Sequence, residues 1–434
     1  MQAVILAAGK GERLDPFTVT RPKPVLPLAN RPLVGLLAEF LGEAGCEEVI
    51  VVTGYKAEMV EDTLGDGSAF GVRVVYVRQS DLLGPIHGLL EARELLAGPF
   101  LAVCGDCFIR PEAIHEALAV HRTADALCTL AVGPSSRPLY HEQAISDADG
   151  RLQGIRDIAG DRQRDEDDLV AGLCVADAGI WQWAEKFVAA EPDEWARFFA
   201  WLAQTQPVQI ARSDHEFIDL DYPWEIRDGA VKAYLYATTE ASVSENALIE
   251  PVVKIEGRVV IEDGVFIEQG SVVKNAWIGQ GTRVLANSYI NGAFIGRECT
   301  IGPQCYVGGT VGHNSKIGYT TEYGALALGR VGFWHQCHIS GVWGEGSGAT
   351  PSCSTTERRG GIVKVRVGDQ LISSGLESLG AFIGDHSSLN TGAKVMPGRK
   401  IGPHSVAGPN VIVYRDIPPR VHVVARQELE IRDR

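Results

Sequence analysis

The sequence predicts two domains of different class, an α/β domain with a mostly parallel sheet followed by a β-helix. Three observations carry this. Strand-like apolar runs alternate with helix-like stretches through the first half. Through most of the second half an aliphatic residue returns every six positions. The 434-residue chain is also longer than one hydrophobic core usually serves. The composition shift places the boundary at residue 240, giving domains 1–240 and 241–434.

Bulk properties narrow the function. A hydrophobic content of 45% with 22% charged residues argues for a folded protein. A net charge of −15 disfavours nucleic acid as a partner, although a local basic pocket can still hold phosphates. The start Met1-Gln2-Ala3-Val4 lacks the basic region of a signal peptide, and no apolar run approaches the roughly 20 residues that cross a membrane. Nine scattered cysteines, an odd number, give neither a disulfide framework nor a zinc pattern. Reduced thiols in a cytoplasmic protein are the simplest account.

In chain order, Ala3-Val4-Ile5-Leu6 reads as the first strand. It runs into Leu6-Ala7-Ala8-Gly9-Lys10-Gly11-Glu12-Arg13-Leu14, continued by Arg21-Pro22-Lys23-Pro24. Glycines let the backbone approach a ligand and aim N–H groups at it, which suits phosphate oxygens. Arg13 and Lys23 add positive charge, and the prolines beside Lys23 stiffen its loop. The stretch is neither a P-loop nor G-x-G-x-x-G, and a glycine turn with a surface arginine is the plain alternative. A helix follows over Leu33–Ala44, ended by Gly45. Glu48–Thr53 is a buried strand, Ala57–Leu64 a short helix, Val72–Val77 a strand, Gly84–Leu96 a helix and Phe100–Cys104 a strand. Ligands of such sheets sit beyond the carboxyl ends of the strands, where the Gly9 loop, Gln79 and Asp106 all fall.

The glycine loop with its Pro-Lys-Pro resembles the nucleotide-binding motif of the sugar-phosphate nucleotidylyltransferases, G-x-G-x-R-L…P-K-P. That resemblance implies a Rossmann-like nucleotidyltransferase domain. It implies in-line attack of a sugar-1-phosphate oxygen on the α-phosphorus of an NTP, with pyrophosphate expelled. Leu6, Ala7, Ala8, Gly9 and Gly11 would then hold the nucleotide, with Arg13 and Lys23 as the catalytic cations. Gln79 with Gly84 matches the base-reading pair, since an amide offers both a donor and an acceptor. Pro85-Ile86 replaces the usual small residues there and leaves the base open. The segment Phe217–Trp224 is similar to W-x-D-…-P-W, with Phe217 for the first Trp. It aligns Asp219 with the carboxylate that shares Mg²⁺ with Asp106, an ion that takes a few hard oxygens beside substrate phosphates. Asp221 has no such match and reads as structural. The chemistry needs alignment and charge neutralisation, and no general base, because a phosphate monoester is already ionised.

The half of the pocket that would hold the sugar departs from the pattern. The usual Tyr-Gly before the turn Asp147-Ala148-Asp149-Gly150 is His141-Glu142. Glu-Lys-Pro is replaced by Asp157-Ile158-Ala159, and Asn-Ala-Gly by Val170-Ala171-Gly172. Three readings stand. The acceptor is an unusual phosphate, such as a modified sugar or a cyclitol; the domain is a catalytically inactive nucleotide-binding regulatory or scaffold protein; or Arg156, Arg162 or Arg164 supplies the missing cation. Retention of Arg13, Lys23, Asp106 and Asp219 together favours catalysis.

Beyond a helix-like Trp224–Ala237 and the linker Thr238-Thr239-Glu240, the stride of six takes over. It runs through Ile249, Ile255, Ile261, Ile267 and Val273, then Ile278, Val284 and Ile290, then Ile295, Ile301 and Val307, then Val311 and Ile317. It returns at Ile383, Leu389, Val395 and Ile401. Each aliphatic side chain is expected to point inward and stack on the coil below. The pattern resembles the left-handed parallel β-helices of hexapeptide repeats, which implies a homotrimer. Joined to the first half, it resembles over almost the whole chain the bifunctional N-acetylglucosamine-1-phosphate uridylyltransferase/acetyltransferase family and its archaeal relatives. The second of those activities does not fit the residues. Gly324 stands where a catalytic His is expected and cannot take a proton from an amine, and Cys353 stands where an Asn is expected. His335 and His338 lie nearby and read as turn or core residues. The β-helix therefore reads as an oligomerisation element.

Overall fold

The computed structural model describes residues 1–135, 142–157, 168–237, 240–357, 360–428, 430 and 432. It divides into two compact units that are not separated by a single cut. The first comprises Met1–Glu12, Arg21–Leu26 and Arg31–Asp221; the second comprises Arg13–Thr20, Pro27–Asn30 and Tyr222–Arg434.

In the first unit, β1 (Gln2–Ala7), α1 (Leu33–Glu43), β2 (Glu48–Thr53), α2 (Ala57–Leu64), β3 (Arg73–Arg78), α3 (Pro85–Glu91) and β4 (Phe100–Cys104) alternate as the apolar pattern predicts. There follow β5 (Cys107–Phe108), α4 (Pro111–Thr123), β6 (Cys128–Gly133), β7 (Glu142–Ser146), β8 (Leu152–Asp157) and β9 (Leu169–Ala176). The unit ends with α5 (Trp181–Val188), α6 (Trp195–Leu202), β10 (Val208–Arg212) and β11 (Ile218–Asp219). The main sheet runs β8-β7-β9-β4-β1-β2-β3, with β6 also on β9 and β10 beside β6. β1 is parallel to both β2 and β4, and β2 to β3, so the carboxyl ends of these four strands share one edge. The loops there are tied together by backbone bonds. Gly105 N–H donates to Leu6 O (2.9 Å), Tyr55 N–H to Ala8 O (2.9 Å) and Gln79 N–H to Thr53 O (2.8 Å). The helix expected over 84–96 is shorter than its pattern: α3 stops at Glu91 and a 3₁₀ turn, Arg93–Leu95, follows. Ala92 N–H bonds back to Leu89 O, the tightened geometry with which helices end.

The second unit contains α7 (Glu225–Ala237) and a β-helix. Its short strands stack in parallel register from coil to coil. Ile267 pairs with Val284, Val284 with Ile301, Ile301 with Ile317, and Ile317 with Phe333. The aliphatic positions from Ile261 to Ile401 that set the stride are buried in one continuous core. Two positions at the start of the stack differ from the expectation. Ile249 is only partly buried, and Ile255 is 38% exposed. The strand Lys254–Ile261 has a neighbour on its outer side only at Val260 and Ile261, so Ile255 has no coil to stack on there. After Ser354–Thr355 the stride is interrupted by an antiparallel hairpin, Lys364–Val367 with Gln370–Ser373. The stack resumes at Ala381–Ile383, which pairs with the strand His338–Trp343. Among the described residues, no helix is long and apolar enough to cross a membrane.

Candidate active site

Lys23 is the centre of the first unit's polar site. Pro22 is held extended and Lys23–Val25 form a single 3₁₀ turn, which fixes where the lysine stem leaves the backbone. The side chain is 8% exposed, and its Nζ lies 2.7 Å from Asp106 Oδ2, 3.1 Å from Asp221 Oδ1 and 3.5 Å from Asp219 Oδ1. Burial opposes the charge of Lys23, but the carboxylates of Asp106, Asp221 and Asp219 outweigh it and hold the ammonium well above the usual lysine range. Asp106 sits in the turn after β4. Gly105 makes that turn possible, since a Cβ there would lie 2.9 Å from Leu6 O. Asp219 reaches the same place because β11 pairs antiparallel with β5, Asp219 opposite Cys107, and Leu220 N–H donates to Asp106 O at 3.1 Å. Asp221, which the sequence marks as structural, is therefore part of this cluster.

Ligand atoms of Asp106, Cys107 and Asp219 lie within 4.8 Å of one another. Cys104 and Cys107 flank Gly105-Asp106 at a Cys-x-x-Cys spacing, which corrects the reading of the cysteines as merely scattered. Burial, with Asp106 and Asp219 adding, pushes both thiols well above the usual range. Asp106 and Asp219 supply two carboxylates to this cluster, hard oxygen donors that fit a divalent cation such as Mg²⁺.

The glycine loop begins beside this cluster. Ala7 and Ala8 are buried, Gly9 is exposed with open space around it, and Gly11 adopts φ 66°, a conformation that favours glycine. Gln79 is 4% exposed and its Nε2 donates to Gly84 O at 3.0 Å. Gly84 has φ 137°, and a Cβ there would meet the Asp193 side chain. Asp193 accepts the Ile86 and His87 N–H groups (2.9 and 2.8 Å) and touches His87 Nδ1 at 2.6 Å. Pro85-Ile86 thus starts a helix whose cap comes from 107 residues further on, a partner with no local signal in the sequence. In the second unit Arg13 is exposed, its guanidinium 5.8 Å from the centroid of the Tyr222 ring, which stacks on Trp224 at 4.7 Å.

Comparison with known proteins bears on both halves. Residues 2–142 match the family model described as nucleotidyl transferase, and residues 237–322 match that of the GMPPB C-terminal domain. A bifunctional protein GlmU of Methanococcus maripaludis is 24% identical over 99% of each chain. A bifunctional sugar-1-phosphate nucleotidylyltransferase/acetyltransferase of Sulfurisphaera tokodaii is 27% identical over 96% of this chain and 98% of that one. Over nearly its whole length the chain is similar to sugar-1-phosphate nucleotidylyltransferases. An N-acetylmuramate alpha-1-phosphate uridylyltransferase of Neisseria meningitidis is 44% identical over 108 residues, 24% of this chain and 47% of that protein.

The unusual positions are clearest at Glu142. It opposes Asp157 across the β7–β8 pair, and burial, with Asp157, Asp221 and Glu194 adding, raises its carboxyl above the usual range. Val170 and Ala171 are buried in β9. Arg156 is occupied with Gln143, its Nε 2.7 Å from Oε1. His141, Ile158, Ala159, Arg162 and Arg164 lie outside the described residues. In the β-helix, Gly324 lies within the strand Glu322–Ala327. Cys353 is buried with its Sγ 3.1 Å from Asn390 O, and burial pushes its thiol up to about 11. The His335 ring stacks on Tyr319 at 3.8 Å between centroids, and His338 Nδ1 is 3.1 Å from Glu322.

Proposed function

We propose that the enzyme catalyses Mg²⁺-dependent transfer of a nucleotidyl group from an NTP to a sugar-1-phosphate or a sugar-like phosphate, a cyclitol phosphate included. The observation that carries this reading is the buried Lys23 held among Asp106, Asp219 and Asp221 at the edge where the glycine loop begins. In the reaction a phosphate oxygen of the acceptor bonds to the α-phosphorus, the bond to the bridging oxygen breaks, and pyrophosphate leaves. Lys23 neutralises phosphate charge during this displacement, and Arg13 does the same for the triphosphate. N–H groups around Gly9 and Gly11 cradle the phosphates, and Gln79 with Gly84 faces the base. Asp106 and Asp219 would hold the ion, which when bound supplies further charge neutralisation to the phosphates.

Glu142 supports an acceptor rich in hydroxyl groups, because a half-buried carboxyl opposite Asp157 accepts hydrogen bonds from hydroxyls. The β-helix serves to assemble a homotrimer in the cytoplasm, and Gly324 argues against acetyl transfer. Pyrophosphate release across a panel of NTPs and sugar or cyclitol phosphates tests the reading. Release with one pair supports it. Nucleotide binding by calorimetry without release from any pair replaces it with a nucleotide-binding scaffold.

A further inference from the structure

Within the first unit, the turn that opens α3 is held by Asp193, which lies in the segment between α5 and α6. Gln79, Gly84, His87 and Asp193 all belong to that unit. The Asp193 side chain is 1% exposed. Its Oδ1 accepts Ile86 N–H at 2.9 Å, and its Oδ2 accepts His87 N–H at 2.8 Å and lies 2.6 Å from His87 Nδ1. Close by in the same segment, Trp195 Nε1 donates to Ala171 O in β9 at 3.3 Å, which ties the segment to the sheet. The Asp193 carboxyl group also fills the space beside Gly84, where a Cβ would collide with it.

The same turn holds the Gln79 amide. Gln79 Nε2 donates to Gly84 O at 3.0 Å, and a Cβ at Gly88 would lie 3.4 Å from Gln79 Oε1, so the amide is set against the first turn of α3. The loop between Gln79 and α3 closes on the glycine loop: a Cβ at Gly54 would lie 2.6 Å from Leu82 Cδ2 and 2.8 Å from Ala8 O. A buried carboxylate is costly unless donors meet its oxygens. Any shift of the first turn would draw N–H groups away from Asp193, so the turn is stiff. Pro85 has no N–H, those of Ile86 and His87 go to Asp193, and that of Gly88 goes to Gly84 O at 3.1 Å. These donors are committed within the protein.

We propose that Asp193 is a positioning residue for nucleobase selection: it clamps the first turn of α3 and, through Gly84 O, fixes the Gln79 amide that pairs with the base edge. This rests on the reading that Gln79 with Gly84 faces the base of the NTP. A fixed amide discriminates because a wrong base leaves buried polar groups unpaired. With the clamp released, the amide turns to suit several bases. Affinity and selectivity for the nucleotide then fall, while the charged groups around Lys23 still act on its phosphates.

The test uses the full chain carrying Asp193→Ala or Asp193→Asn, with Mg²⁺ and with UTP, CTP, GTP, ATP and dTTP in turn. Pyrophosphate release gives kcat and the KM for each NTP. In Asp193→Ala the KM for the preferred NTP is expected to rise about 10-fold or more while kcat moves by less than about three-fold. The preference for that NTP over the next best is expected to fall about 10-fold or more. Asp193→Asn keeps the volume and one acceptor oxygen. Smaller shifts in the same direction are expected of it, and it carries the test should the alanine variant not fold. A merely structural role would lower the folded fraction and leave the preference intact. Wild-type preference in either folded variant, a loss confined to kcat, or a wild type indifferent to the base would overturn the proposal. If the wild type releases no pyrophosphate with any pair, the transfer reading fails and calorimetric binding of the same nucleotides decides the role of Asp193. Weaker binding with a narrower spread of affinities in the variant supports it. Equal weakening for every base, unchanged affinities, or a wild type that binds none of them overturns it.

Discussion

Lys23 is a lysine whose charge is set by its neighbours. Because its folded value is raised, the stability it contributes is fully present below the ordinary lysine range and is lost only as pH rises through the raised value. The ammonium is therefore constant across neutral pH, and a change of rate there has another source. Lys23→Met should cost about 3–5 kcal/mol in urea unfolding, because the carboxylates of Asp106, Asp219 and Asp221 stay crowded without their cation. Added Mg²⁺ should recover more stability in that variant than in the wild type; equal recovery would mean that the ion binds elsewhere. Glu142 follows the opposite sign. Its raised folded value means that the penalty of ionising it in the fold is absent below the ordinary carboxylate range and complete above the raised value. Glu142→Gln should accordingly raise Tm at pH 7.5 and leave it unchanged at pH 4, provided the protein stays folded at both. Lys23, Asp106 and Asp219 could be named from the resemblance of their segments to the nucleotidylyltransferase motifs. Asp221 could not, because its place depends on the β11–β5 register that turns that segment toward Lys23.

Among the elements, strands and helices of the first unit follow their apolar pattern because each buries a face the sequence repeats. The exceptions are ends whose partners are remote. α3 begins where Asp193 caps it and gives way to a 3₁₀ turn at Arg93, neither of which is written in the local pattern. The same holds for the β-helix: a stride of six identifies inward positions, but burial also requires a coil on each side. Ile301 has both and is fully buried, whereas Ile255 lacks one and is 38% exposed. Ile301→Ala should cost about 2–5 kcal/mol in chemical denaturation, and Ile255→Ala less than about 1 kcal/mol. Similar costs at the two sites would mean that the stack continues past Ile255.

For the molecule as a whole, two classes of domain were legible from periodicity, and their interleaving was not. Arg13–Thr20 carries no aliphatic stride, yet Phe17 is buried and Thr20 bonded to Asp385 in the second unit. Contacts between residues far apart in sequence, such as Thr20 with Asp385 and Arg13 with Tyr222, reveal this. The β-helix also sets an expectation for assembly. Light scattering should give three times the 46.8 kDa chain mass, with or without Mg²⁺ and NTP; a mass of one chain would remove the homotrimer.

The central claim is that Lys23, Asp106 and Asp219 form a site for nucleotidyl transfer. Its most direct test is pyrophosphate release by the wild type and by Asp106→Asn, with the same NTP, acceptor phosphate and Mg²⁺. Release by the wild type is expected for at least one pair, with a fall of about 100-fold or more in the variant. A folded Asp106→Asn protein as fast as the wild type, or a wild type silent with every pair, would contradict it.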